Sequence, residues 1–212
     1  MRQVTIAAGQ ARLIGDLTHP SDACAVVLFA HGSGSSRLSS RNRFVAAELN
    51  SRGLATLLID LLTEREEAEQ DLRFDIGLLA DRLKAATEWL EEDSETSMLP
   101  IGYFGASTGA AAALAASVHF PHRVRAIVSR GGRPDLAGDA LPRVTAPTLL
   151  IVGSRDTQVI ELNNAASYQM KAEQQTAIVE GATHLFEEPG TLQQVATLAG
   201  DWLTSHLCGV AQ

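Results

Sequence analysis

Continuous apolar runs alternate with amphipathic segments along almost the whole of this 212-residue sequence. The runs CAVVLFA (24–30), LATLLID (54–60) and PTLLIVG (147–153) are typical of strands that are buried on both faces. A segment such as 74–92 carries apolar residues at three- and four-residue steps, as an amphipathic helix does. This alternation predicts an α/β fold with a mostly parallel central sheet and helices on both faces.

The other elements extend the same pattern to about seven or eight strands. VTIAA and ARLIGDL, near the start, predict an antiparallel hairpin at a sheet edge. Because no linker, repeat or low-complexity tract interrupts the pattern, residues 1–212 are predicted to form one domain. Further strands are expected at 99–105, 124–129 and 176–181, and helices near 41–52, 158–171 and 190–207.

Composition limits the classes of partner. Hydrophobic residues make up 45% of the chain and charged residues 20%, which is ordinary for a globular protein. The net charge of −8 argues against nucleic-acid binding, which needs a basic face. The apolar stretches are too short to span a bilayer, and the start lacks the apolar core of a signal peptide. We therefore expect a cytoplasmic protein that does not bind membranes.

The chain has two cysteines, which lie in unlike contexts. Cys24 begins an apolar run and is expected to be a small buried residue, whereas Cys208 lies near the C-terminus, where chains often fray. Two isolated cysteines do not make a disulfide framework, and these two do not have the spacing of a metal site.

The segment with the clearest chemical signature is Gly105-Ala106-Ser107-Thr108-Gly109, which follows a predicted strand and opens a small-residue helix. A nucleophile on a strained strand-to-helix turn needs small residues two places before and after it, and glycine holds both places. The helix N-terminus would add a positive dipole and free N–H groups near the reacting atom. A serine here can also simply cap the helix, but its position between strand and helix favours Ser107 as a nucleophile.

A serine hydroxyl becomes a good nucleophile when a base takes its proton and a carboxylate orients that base. In this architecture both groups lie on loops at the carboxyl ends of later strands, with the acid first and the histidine last. Asp156 follows the run PTLLIVG, and His184 follows TAIVEG. The sequence thus predicts a triad of Ser107, Asp156 and His184.

Other histidines and acids fit this pattern less well. His31 begins the loop after a buried strand, where a structural role is expected. Asp135 and Asp139 follow VRAIVS and are expected to be a helix cap and a surface charge. The remaining histidines lie next to turns or on helix surfaces and are expected to be solvated: His19, His119, His122 and His206.

An acyl-transfer site also needs N–H donors for the oxyanion that develops in the transition state. One is expected to be the backbone N–H of Thr108, directly after the nucleophile. The other is expected from HGSGSS (31–36), with the N–H of Ser33 as the first candidate and that of Gly34 as the alternative. The competing interpretations of HGSGSS are a flexible loop or a weak phosphate nest, and it lacks the lysine of a nucleotide-binding P-loop.

The pieces HGSGSS, GASTG, VGSRD and GATHLF together resemble the dienelactone hydrolase-like branch of the α/β-hydrolases, and the similarity of layout covers nearly the whole chain. The resemblance implies the α/β-hydrolase fold. Dienelactone hydrolases proper use a cysteine nucleophile, whereas this sequence has Ser107, which favours a general carboxylesterase-like chemistry. Similar modules also occur beside phosphoribosyltransferase domains, of which this sequence shows no sign.

The site is expected to be open or shallow. Only SRGGRPDLAGDALPRVTA separates the strands at 124–129 and 147–153, which is too little for a helical cap domain. Arg130 ends a strand at the predicted site and either pairs with a substrate carboxylate through its planar fork or holds the following loop. Asp60 and Glu64 belong to a charged, solvated segment that reaches the same edge.

The expected activity is hydrolysis of a small ester through an acyl-enzyme on Ser107, with no metal or organic cofactor. A thioesterase or acyltransferase with the same triad is one alternative, and a non-catalytic binding protein with a hydrolase fold is the other. The expected partner is a small-molecule ester. The oligomeric state stays open, with a dimer among the alternatives.

Overall fold

Eight strands form one sheet in the part of the chain that the computed structural model describes, residues 1–209. In chain order they are β1 Arg2–Ala8, β2 Ala11–Thr18, β3 Ala25–Ala30, β4 Leu54–Ile59, β5 Ile101–Ala106, β6 Val124–Arg130, β7 Thr148–Gly153 and β8 Gln174–Val179. Their order across the sheet is β1-β2-β4-β3-β5-β6-β7-β8. The pairs β1–β2 and β2–β4 are antiparallel, and β3 to β8 are parallel. The predicted mostly parallel sheet is therefore confirmed.

Helices cover both faces of this sheet. They are α1 Ser40–Ser51, α2 Glu64–Glu67, α3 Ile76–Glu92, α4 Thr108–Ser117, α5 Thr157–Ser167 and α6 Thr191–Leu207, with 3₁₀ segments at Leu72–Phe74 and Pro134–Arg143. The helices α3 and α4 pack on one face, and α1 and α6 pack on the other. Ser39 and Asp75 cap the N-termini of α1 and α3, because each side chain accepts the N–H of the residue three places later. Within residues 1–209, every helix is too short or too polar to span a bilayer.

The central strands are buried on both faces. In β3, Val26 and Leu28 belong to the core under α3 and α4, whereas Val27 and Phe29 belong to the core under α1 and α6. The Phe29 ring packs against that of Phe104 in β5, with 4.8 Å between their centroids. A strand between two layers of helices has no solvent-facing side, which explains the continuous apolar runs in the sequence.

The carboxyl ends of the parallel strands meet at one edge of the sheet. The strand order reverses at β3, which has β4 on one side and β5 on the other. Binding sites in open α/β sheets lie outside the carboxyl ends of the strands at such a reversal. The loop after β3 carries HGSGSS, and the turn after β5 carries Ser107.

The position of the last strand differs from the sequence-based expectation, whereas the absence of a cap between β6 and β7 agrees with it. The last strand lies two residues earlier than predicted, because Gly181 turns the chain with φ +76°. The Gly181 N–H donates to the Ser154 hydroxyl at 2.8 Å, which holds the start of the following loop against the loop after β7. The connection between β6 and β7 forms short 3₁₀ turns across a kink at Gly138 and is too short to form a cap domain.

Cys24 and Cys208 form a disulfide, with their Cα atoms 5.6 Å apart. The expectations that the two cysteines are unrelated and that Cys24 is buried are therefore wrong, because the two are bonded and Cys24 is exposed. The end of α6 lies beside the residue that precedes β3, so two cysteines separated by 184 residues in sequence become neighbours. Disulfides persist mainly in oxidising compartments, and the cytoplasmic location stays a prediction.

Candidate active site

Ser107 occupies a sharp turn between β5 and α4. Its backbone has φ +51° and ψ −121°, a positive-φ conformation that costs energy in a residue with a side chain. The turn is held from both sides, because the Ser107 N–H donates to the Arg130 carbonyl at 3.3 Å and the Ser107 carbonyl accepts the Arg133 N–H at 3.1 Å. A strained turn of this kind projects a serine hydroxyl away from the sheet.

Three glycines allow the neighbouring chain to approach this turn closely. A Cβ on Gly109 would lie 2.2 Å from the Ala30 carbonyl oxygen at the end of β3. A Cβ on Gly105 would lie 2.4 Å from the backbone of α4, and one on Gly32 would lie 3.0 Å from the Ser107 Cβ. The two glycines of the G-x-S-x-G segment are thus required by the close packing of α4 against β3 and β5.

Asp156 and His184 meet at the same edge of the sheet. The His184 Nδ1 lies 2.7 Å from the Asp156 Oδ2, and the carboxylate as acceptor places a proton on Nδ1. The Asp156 side chain is 15% exposed and the His184 side chain is 38% exposed, so solvent reaches the imidazole more than the carboxylate. The two loops are joined because the Arg155 N–H donates to the Ala182 carbonyl at 3.0 Å.

The turn at Arg130 and Gly131 lies between the serine and the histidine. The Arg130 carbonyl accepts the Ser107 N–H, and a Cβ on Gly131 would lie 3.0 Å from the His184 carbonyl oxygen and 3.5 Å from its Nδ1. Ser107 and His184 therefore lie on either side of this turn, and the hydrogen bond to His184 brings Asp156 to the same place. In the described residues 1–209, the hydrogen bond of the His184 ring is to the carboxylate and not to Ser107. In hydrolases, the hydrogen bond between a histidine base and a serine nucleophile often tightens only when substrate binds.

The two residues predicted to supply the oxyanion donors are neighbours. Thr108 is the first residue of α4, so its N–H has no acceptor within the helix. The Ser33 N–H donates to the Thr108 hydroxyl oxygen at 3.0 Å. Gly34, the alternative donor, is exposed and has φ +69°. The sequence did not indicate that the Thr108 side chain would contact the loop after β3.

His31 joins the loops that follow β3 and β4. Its Nε2 accepts the Leu61 N–H at 3.0 Å, so its proton is on Nδ1, which donates to the Gly32 carbonyl at 2.9 Å. Burial lowers the pKa of His31 below its ordinary value. A buried neutral histidine with both nitrogens bonded holds the backbone rather than exchanging protons.

Arg130 places a buried positive charge beside the predicted triad. The residue is 7% exposed, and its Nε and Nη1 have no hydrogen-bond partner in the described residues. The guanidinium carbon lies 5.9 Å from the centre of the Phe186 ring. Burial, with a further contribution from the positive charge of Arg41, lowers the pKa of Arg130 to about 10. A buried cation without a counter-charge is costly, so this guanidinium is a candidate anion site.

A cavity of about 660 Å³ lies beside the loop after β3. Its walls include Asp60, which pairs with Arg37, and Glu64. None of the three predicted triad residues lines it, so the cavity adjoins the candidate site and does not contain it. Across residues 1–209, no three His, Cys, Asp or Glu side chains are grouped as metal ligands would be.

The rival acids have other environments. Asp135 forms a bidentate pair with Arg133, with N–O distances of 2.9 and 2.8 Å, so its expected role as a helix cap is wrong. Asp139 is an exposed surface charge. Among the rival histidines, His206 hydrogen-bonds to the Trp202 carbonyl within α6, and His119 is exposed.

The chain belongs to the α/β-hydrolase domain family, whose model matches residues 23–199. The matched range contains β3 to β8 and all three predicted triad residues. By fold and family, the chain is therefore an α/β hydrolase.

Solved structures of similar proteins indicate the branch of the family to which this chain is most similar. The crystal structure of a dienelactone hydrolase from Anabaena variabilis is 54% identical and covers 97% of each chain with a TM-score of 0.95, which supports the dienelactone hydrolase-like branch. Est1E from Butyrivibrio proteoclasticus is 16% identical, with a TM-score of 0.82 over 96% of this chain and 98% of its own, and shows a likeness of fold alone.

Two curated relatives are longer than this chain. They come from two strains of Mycobacterium tuberculosis and are provisionally named phosphoribosyl transferases. Each is 58% identical over 207 residues, which make up 98% of this chain and 47% of the relative. This chain therefore spans about half the length of the curated relatives that it matches.

Proposed function

We propose that this protein is a serine hydrolase that cleaves a small ester through an acyl-enzyme on Ser107. The observation that carries the proposal is the meeting of a strained, positive-φ serine with the hydrogen-bonded pair of Asp156 and His184. The arrangement has the chain order and the strand positions that a nucleophile, an acid and a base need in this fold.

In the first half-reaction, the Ser107 Oγ attacks the ester carbonyl carbon while the His184 Nε2 takes the serine proton. Asp156 accepts the Nδ1–H, which fixes the tautomer and stabilises the imidazolium. The N–H groups of Thr108 and Ser33 hold the oxyanion of the tetrahedral intermediate. His184 then gives its proton to the leaving alcohol, and the acyl group stays on Ser107.

In the second half-reaction, water takes the place of the alcohol. His184 removes a proton from this water as its oxygen attacks the acyl carbon, and a second tetrahedral intermediate forms at the same donors. Its collapse returns the proton from His184 to the Ser107 oxygen and releases the carboxylic acid. Side chains and backbone N–H groups of this chain, together with water, suffice for every step, and the enzyme is regenerated.

Turnover of 4-nitrophenyl acetate by the purified protein is the expected result that tests this function. A matched thioester and added alcohols as acyl acceptors distinguish the two closest alternatives. Faster cleavage of the thioester would favour a thioesterase, and transfer to the alcohol in preference to water would favour an acyltransferase. If the protein turns over none of the acyl donors, the proposal that it is an enzyme is contradicted, and the binding-protein alternative is favoured.

The phosphoribosyl transferase activity in the name of the longer relatives is not proposed for this site. That name belongs to proteins of which this chain matches 47%. The residues that meet at the edge of the sheet are a nucleophile, a base and an acid, which suit acyl transfer.

The substrate that this site favours carries a negative charge near the ester. Arg130 belongs to the turn that lies between Ser107 and His184, and its guanidinium has two buried nitrogens without partners in residues 1–209. A carboxylate of the substrate would satisfy them with charge-assisted hydrogen bonds. The alternative, in which the side chain holds the following loop, has no supporting hydrogen bond in residues 1–209.

Arg130→Met is expected to lower the preference for an anionic ester by about 10- to 100-fold, because a hydrogen-bonded charge pair contributes about 1.5–3 kcal/mol. The measured quantity is the ratio of kcat/KM for 4-nitrophenyl hemisuccinate to that for 4-nitrophenyl butyrate. Methionine keeps an unbranched apolar stem out to about the position of Nε, and it removes the charge and the donors.

Arg133→Met is the matched control, because Arg133 lies on the same loop but is already paired with Asp135. This variant is expected to keep the wild-type ratio. If Arg130→Met also keeps that ratio, the carboxylate subsite is wrong.

A further inference from the structure

The peptide unit that joins Gly32 to Ser33 is hydrogen-bonded at both of its polar ends. Its carbonyl accepts the His31 Nδ1–H at 2.9 Å, and its N–H donates to the Thr108 hydroxyl oxygen at 3.0 Å. His31 is itself fixed, because its Nε2 accepts the Leu61 N–H. The orientation of this peptide is therefore set by side chains and not by regular secondary structure.

The loop gives this peptide little other support. Ser33 and Gly34 are both exposed, and one turn hydrogen bond runs from the Ser35 N–H to the Gly32 carbonyl at 3.2 Å. Glycine- and serine-rich loops have many accessible conformations, and each conformation aims the Ser33 N–H differently. A donor that must be ready for an oxyanion needs a fixed direction.

Thr108 supplies such a direction from a rigid position. The residue is 3% exposed and begins α4, whose close packing against β3 leaves it little freedom. Its own N–H is the second predicted donor, and its hydroxyl oxygen belongs to the same residue. The hydrogen bond therefore fixes the Ser33 N–H against the residue that carries the other predicted donor.

We propose that Thr108 is a positioning residue of the oxyanion hole. Its hydroxyl oxygen holds the Ser33 N–H in the direction that the transition state needs. When the oxyanion forms, the N–H is shared between the Thr108 oxygen and the new charge. The inference rests on the proposed ester hydrolysis at Ser107 and adds a role for a side chain outside the triad.

Thr108→Val tests the proposal, because valine keeps the shape of threonine and removes the hydroxyl. The variant is expected to lower kcat for 4-nitrophenyl acetate by about 10-fold with KM nearly unchanged, since a misdirected donor loses part of its effect on the transition state. It is expected to weaken binding of phenylboronic acid, which forms a tetrahedral adduct with reactive serines, by a similar factor. Thr108→Ser, which restores the hydroxyl, is expected to recover most of both losses.

The matched control is Thr96→Val, which removes another buried threonine hydroxyl, one that donates to the Leu90 carbonyl at 2.8 Å. This variant is expected to lose stability but to keep the wild-type boronate affinity. If Thr108→Val does not fold, Thr108→Ala replaces it, with Thr108→Ser as the same rescue.

The outcomes separate this inference from the proposed function. Suppose that the wild type turns over the ester and that a Thr108 variant without the hydroxyl has the same kcat and boronate affinity. This result would overturn the positioning role alone. Equal losses in Thr108→Ser and Thr108→Val would also overturn it, because the hydroxyl would then not be the cause. A wild-type protein that neither hydrolyses esters nor binds the boronate would overturn both.

Discussion

Replacing His184 by alanine is expected to lower kcat for 4-nitrophenyl acetate by about 10⁴-fold or more. The substitution removes both the base that activates Ser107 and the acid that protonates the leaving alcohol. The strained turn and the N–H donors stay in place, so KM should change little. The His184 side chain is 38% exposed, and its loss should leave the fold intact, as circular dichroism can check.

His119→Ala is the matched control, because His119 is exposed just beyond the helix that follows Ser107. This variant is expected to have the wild-type kcat. If His184→Ala keeps more than about a tenth of the wild-type kcat, another group serves as the base and the predicted triad is wrong.

Gly109→Ala is expected to lower the free energy of unfolding by about 3 kcal/mol or more, with a parallel loss of activity. The added Cβ would lie 2.2 Å from the Ala30 carbonyl oxygen and 2.5 Å from that of His31. Both atoms belong to the backbone at the end of a central strand, so the clash is relieved only by moving α4 away from β3. That movement also displaces Ser107 from the loop after β3. Urea unfolding measures the change in stability.

Gly77→Ala is the control for this substitution. Gly77 is exposed in the first turn of α3, and the contact its Cβ would make within 4 Å is with the Asp75 Oδ1, at 3.3 Å. Alanine favours a helix more than glycine does, so this variant is expected to be as stable as the wild type or more stable by up to about 1 kcal/mol. A Gly109→Ala protein of wild-type stability would contradict the close packing at the Ser107 turn.

The fold and the placement of the predicted triad could be read from the sequence because each depends on short, contiguous patterns. A buried parallel strand is a continuous apolar run, and the loop that follows it reaches the carboxyl edge of the sheet. Asp156 and His184 each follow such a run, so their meeting with Ser107 at one edge follows from strand order. The fold is confirmed, and the catalytic roles stay predictions.

Contacts between distant side chains could not be read in this way. Cys24 and Cys208 are 184 residues apart, and only the folded chain brings the end of α6 beside the residue that precedes β3. The contact between the Ser33 N–H and the Thr108 hydroxyl spans 75 residues and depends on the close approach of α4 to β3. For Arg130, the sequence left two roles open, because neither its burial nor its lack of a hydrogen-bond partner among the described residues is a local property.

The central claim, that Ser107 is an activated nucleophile, is tested most directly by a fluorophosphonate probe followed by mass spectrometry of the labelled peptides. The expected result is one adduct per native chain, on Ser107, with labelling lost in urea and strongly slowed in His184→Ala. Ser107→Ala should take up no label under the same conditions. A native protein that carries no adduct on Ser107, or that labels Ser107 no faster than its other serines, would contradict the claim.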